Sequence, residues 1–151
     1  MATVDKTTGG TAGHPSTRRK PYYVENTVDN SLFDPSAGDI IQCLNVPAET
    51  LVIASGLEVL TASSTSVTFD LGITGSTAGH HDPDCWVDAF DATGTGHAPV
   101  DATDAAAMLI CKTADTIDIL TAGAADTAGK VRVWAVLCDI SGSDETASNS
   151  S

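Results

Sequence analysis

Basic residues are scarce in this chain: seven Lys and Arg stand against twenty Asp and Glu among 151 residues. Only Lys112, Lys130 and Arg132 fall after residue 20, against nineteen acids, so residues 21–151 carry −16 while residues 1–20 carry +3. Phosphate groups are held by clustered Lys and Arg, which excludes the acidic body as a nucleic-acid or anionic-membrane surface. Long apolar runs are also missing. The longest nearly uncharged one, residues 51–57, is far too short to span a bilayer, and residues 1–20 contain no apolar core of a secretion signal. No C-x-x-C spacing is present: Cys43, Cys85, Cys111 and Cys138 are scattered singly, which excludes the usual zinc and redox motifs. Four cysteines allow two disulfides in three pairings, but without a secretory leader they read as buried thiols among apolar neighbours.

Catalytic patterns are absent as well. There is no G-x-S-x-G, no cysteine in a catalytic context with a nearby His, and Gly94-Thr95-Gly96 lacks the third glycine and helix of a dinucleotide fingerprint. His14 and His97 sit alone in Gly-rich segments and read as exposed loop residues. The densest set of metal-ligand types is His80-His81-Asp82-Pro83-Asp84-Cys85. Adjacent His side chains in a Pro-stiffened loop converge poorly, so His80, His81, Asp82 and Asp84 read as a solvated loop, with a weak shared metal site as the competing reading. The Asp-rich stretches 88–91, 101–104 and 115–118 match no EF-hand loop and read as surface charge. No cofactor is expected, and no enzymatic activity.

What is present is strand after strand. Apolar and β-branched runs at 22–28, 39–46, 50–60, 66–73, 85–90, 107–112, 116–121 and 130–140 are separated by Gly, Pro and Asp turn chemistry. Residues 101–111 are the one helical temptation, read as a single turn leading into a strand. Eight strands without an amphipathic helix predict an all-β sandwich or barrel. Three parts follow: a basic Gly/Thr-rich arm (1–20), a β-sandwich domain (21–140) and a polar tail (141–151).

Val67, Phe69 and Leu71 alternate with polar residues, as a strand with one wet face should. The last strand does not alternate: Val131, Val133, Ala135 and Leu137 fill one face while Trp134, Val136 and Cys138 fill the other. Strand 50–60 is similar, with Leu51, Ile53, Leu57 and Val59 set against Val52, Ala54 and Leu60. A two-layer sandwich buries one face of each sheet, so a two-faced strand needs a second cover. A neighbouring copy is the simplest cover, with Trp134, Val136, Val52 and Ala54 as candidate interface residues. The competing reading folds residues 91–106 over that face.

The run Pro21-Tyr22-Tyr23-Val24-Glu25-Asn26-Thr27-Val28-Asp29-Asn30, followed by Pro35-Ser36-Ala37-Gly38-Asp39-Ile40-Ile41-Gln42, resembles small structural proteins of tailed viruses. So do Ala114-Asp115-Thr116-Ile117-Asp118-Ile119 and Ala128-Gly129-Lys130-Val131-Arg132-Val133-Trp134-Ala135-Val136. These phrases, spread over most of residues 21–140, are similar to capsid cement, or decoration, proteins. The resemblance implies a jelly-roll-like antiparallel β-sandwich that forms a homotrimer on the outer capsid surface and bridges neighbouring major capsid proteins. Arg18, Arg19 and Lys20 are then the expected capsid-binding residues, with Tyr22 and Tyr23 anchoring the arm's exit. Rival expectations are a turret, head-fibre base or tail component, or a Ca²⁺-dependent carbohydrate-binding module with Trp86 stacking on a sugar.

Overall fold

The structure, a computed structural model, describes residues 20–75, 82–99 and 108–141. Its strands are β1 (Tyr22–Asp29), β2 (Ile40–Val46), β3 (Thr50–Thr61), β4 (Val67–Ile73), β5 (Asp82–Asp91), β6 (Gly96–His97), β7 (Leu109–Cys111), β8 (Asp115–Gly123) and β9 (Lys130–Asp139). A 3-10 turn, Asn30–Leu32, follows β1. One sheet runs β1-β9-β3-β6, with β7 also paired to β3, and the other runs β2-β8-β4-β5. Every pairing is antiparallel. Apart from β4 to β5 and β6 to β7, successive strands alternate between the sheets, in the interleaved order of two Greek keys that makes a jelly roll.

Alternation explains the core. Residues opposed across an antiparallel pair point to the same side. Val131, Val133, Ala135 and Leu137 of β9 meet Val59, Leu57, Ser55 and Val52 of β3, and all eight are buried on the inner face. The second sheet answers with Leu44, Val46, Phe69, Leu71, Ile117 and Ile119. A bulge between Val52 and Ala54 corrects one sequence expectation. The extra residue moves Val52 onto the face that holds Leu57 and Val59, away from Ala54. Val52 is 0% exposed and therefore offers no surface to a partner chain.

Glycine and buried polar groups fix the irregular joints. Gly123, at φ +86°, takes a backbone angle that side chains disfavour, and a Cβ there would collide with the Ser66 carbonyl. At the far end of β1, buried Asn30 donates from Nδ2 to Asp126 Oδ2 (2.7 Å) and from its backbone N–H to the Gly129 carbonyl (2.9 Å). Asp126 also accepts from the backbone N–H groups of Gly129 and Ala128. Burial alone would raise the Asp126 carboxyl, but these bonds and one from Ser63 outweigh it and hold the group below its ordinary value.

The four cysteines are free thiols, as the sequence suggests, and Cys43, Cys85 and Cys111 are buried. Burial pushes the Cys43 thiol up to about 12. Asp82 and Asp84, expected in a loop, are instead half-buried residues at the start of β5, and the Asp82–Pro83 backbone crosses directly over Gly72. His80 and His81 lie outside the described residues, as do Arg18 and Arg19 and residues 101–107 of the expected helical turn.

Candidate interaction surface

The outer face of the β1-β9-β3-β6 sheet combines apolar character with concavity. Its rows follow from the register. Tyr23, Val136 and Ala54 form one row; Glu25, Trp134 and Gly56 form the next; Thr27, Arg132, Glu58 and His97 form the third. On the other side of the Tyr23 row, Cys138, Leu51 and Ile110 continue the apolar surface. Tyr23, Glu58, His97, Arg132, Trp134 and Val136 line a groove of about 480 Å³.

Trp134 organises that groove. Its indole crosses the sheet above Gly56, where a Cβ would stand 2.7 Å from Cζ2 and 2.8 Å from Nε1. A glycine opposite an aromatic residue lets the ring lie down on the backbone. The indole N–H reaches β6, donating to His97 Nε2 at 2.8 Å. That bond leaves the His97 proton on Nδ1. Tyr23 lies on the β1 side of the indole, with ring centroids 6.4 Å apart and planes 18° from parallel, an offset arrangement that aromatic pairs favour. Its hydroxyl donates to Glu25 (2.7 Å), and stabilisation of the phenol by that bond raises its pKa. Arg132 pairs with Glu58, which holds the guanidinium above its ordinary value.

The sequence places Trp134, Val136 and Ala54 together on one outer face, and the structure agrees. Tyr23, read as part of the arm's exit, belongs to the same surface and is 56% exposed. Tyr22 and Lys20 are exposed beside it in sequence. His97 is the residue that sequence reading missed. Two residues of a Gly-rich loop form β6, pairing with Glu58 and Val59, and carry the imidazole over the sheet. Gly56, isolated in an apolar strand, was the available signal for close approach by a ring.

Trp86 is fully buried in the core cluster and offers no face to a sugar, which removes the stacking residue of the carbohydrate reading. Among the described residues no three His, Cys, Asp or Glu side chains gather as a metal site.

No protein-family model and no curated protein matches the chain. Solved structures do match its fold. One is a chain of the capsid of Ralstonia phage GP4, 19% identical, with 82% of this chain and 85% of that chain covered and a TM-score of 0.54. Another is a chain of the cyanophage Pam1 capsid asymmetric unit, 17% identical, with 82% and 87% covered and a TM-score of 0.52. The chain thus shares its jelly-roll sandwich, over most of its length, with chains found in two phage capsids.

Proposed function

We propose that this protein is a structural component of a virion, a cement or decoration protein that binds the outer capsid surface as a homotrimer and bridges neighbouring major capsid proteins. The observation that carries this reading is the apolar outer face of Tyr23, Val136, Ala54, Trp134 and Leu51, set on a fold shared with phage capsid chains. An outer sheet face of this composition is suited to being covered. Ala54, Trp134 and Val136 are its subunit-packing residues. The body adds a second argument. Lys112, Lys130 and Arg132 are each paired, to Glu49, Asp29 and Glu58, so the cations after residue 20 are spent within the fold. Arg18, Arg19 and Lys20 supply the basic charge that steers the molecule onto an acidic capsid surface.

The deciding experiment adds the purified protein to shells of the parent virus that lack it and counts bound copies by electron cryomicroscopy. Trimers at three-fold and quasi-three-fold positions are expected. Binding confined to unique vertices would instead identify a turret, fibre base or tail part, and no binding would overturn the capsid assignment. Charge reversal of Arg18, Arg19 and Lys20 should weaken decoration while the native mass stays at three times 15.4 kDa, about 46 kDa. Decoration unchanged by that reversal would remove the arm from the attachment mechanism.

A further inference from the structure

The connection from β1 to β2 presents two large apolar side chains to solvent. Leu32 is 81% exposed and Phe33 50% exposed, side by side in the sequence Asp29-Asn30-Ser31-Leu32-Phe33-Asp34. A flexible loop would let such residues fold back onto the sandwich. This one is pinned. The Asp29 carboxylate accepts from the Ser31 backbone N–H (3.1 Å) and hydroxyl (2.5 Å). The Asn30 carbonyl accepts from the N–H groups of Phe33 (3.2 Å) and Asp34 (2.8 Å), and Asp34 takes the left-handed angle φ +47°. Pro35 is buried, and its carbonyl accepts from the Asp126 N–H (2.9 Å). The buried Asn30–Asp126 clasp closes the base, although Asn30 Oδ1 is left buried without a partner.

The fold therefore uses a left-handed aspartate and a buried Asn30–Asp126 clasp to hold two apolar residues in water. Such a cost is recovered when a partner buries them, because a preorganised anchor loses little entropy on binding. The charges around the pair say what that partner is like. Asp29 is already paired with Lys130, but Asp34 and Asp39, both exposed, flank the pair with no basic residue between them. We propose that Leu32 and Phe33 form a plug that enters an apolar pocket with a basic rim on the capsid protein. This rests on the capsid reading above. Exposed Lys20 precedes β1 at one end and the plug leaves it at the other. Eight extended residues separate them by about 25 Å. Two attachment points so spaced suit a molecule that bridges two subunits.

The test measures co-sedimentation with shells of the parent virus that lack the protein. Leu32→Ser with Phe33→Ser should bind on the order of a hundredfold more weakly. Its native mass and urea midpoint should stay at the wild-type values, since neither residue is in the core. Asp34→Lys with Asp39→Lys should weaken binding and flatten its salt dependence. Wild-type protein that binds the shells, alongside a Leu32/Phe33 variant that binds equally well, would overturn the plug and leave the capsid reading standing. Wild-type protein that does not bind them would overturn both.

Discussion

Replacing Gly56 with alanine should destabilise the protein, although alanine is the better strand residue by about 0.5–1 kcal/mol. The new methyl would stand 2.7–2.8 Å from three atoms of the Trp134 ring. Ordinary carbon contacts begin near 3.5 Å, so the indole must lift off the sheet. Lifting it breaks the hydrogen bond to His97, which is worth about 1 kcal/mol. It also separates the ring from Tyr23, a contact worth about 0.5–1.5 kcal/mol. Losses of about 2 kcal/mol against a gain of under 1 leave a net destabilisation of about 1 kcal/mol. With a urea slope of about 1–3 kcal/mol per molar, the midpoint should fall by about 0.5 M at fixed protein concentration. Gly94→Ala is the control. A Cβ there meets nothing within 4 Å, so that variant should be neutral or slightly more stable. An indole N–H resonance followed by NMR reports the geometry directly. If Gly56→Ala raises the midpoint as the control does and leaves that resonance unmoved, the ring does not lie over Gly56.

Gly72→Ala should be worse than Gly56→Ala, since its Cβ would meet the Asp82–Pro83 backbone rather than a movable side chain; we expect a loss of about 3 kcal/mol or a failure to fold, read by urea denaturation or soluble yield. Asp126→Asn should be destabilising at neutral pH, because an amide turned toward the Asn30 and Gly129 donors must leave one of them unanswered. The Asp126 carboxyl is depressed in the fold, so its contribution is full above the unfolded value of about 3.9 and is lost as pH falls through the folded value. The gap between wild type and Asp126→Asn should therefore close on acidification below pH about 4, and a gap unchanged at low pH would contradict the assignment. Cys138, half-buried on the outer face, should react with a thiol reagent faster than Cys43 in the folded protein, and Cys43 only on unfolding; equal rates would refute the burial.

All eight expected strands formed because their apolar patterns matched the layers they pack into. The shifts came where pairing partners, not local pattern, decided. β6 has no apolar residue to announce it, and only the free edge of β3 turns Gly96 and His97 into a strand. β5 begins at Asp82 rather than at Cys85, because its first residues are held against β4 at Ile73. Strand period placed Val52 on the wrong side of β3, since a bulge depends on the neighbouring strand and leaves no mark in the alternation. The outer face was legible from the Trp134 and Val136 positions in β9. Its groove was not, because it depends on Gly56 making room and on His97 arriving from a distant segment.

The position of β9 between β1 and β3 has a consequence for how the chain acquires its structure. The first strand of the sandwich pairs with the last, joining Tyr22 to Leu137, and β3 also takes its long pairing from β9. Neither can complete its sheet until residues 130–139 have been synthesised, so one half of the sandwich must assemble after β9 has emerged. Pairing across such separations is slow, on the order of milliseconds to seconds, and leaves strand edges open in the meantime. A nascent chain halted before Lys130 should be cleaved readily by protease within β1 and β3, and protection should appear as β9 is released. The acidic excess of the body guards those open edges meanwhile, because mutual repulsion between strongly negative chains keeps unfinished copies apart while they wait.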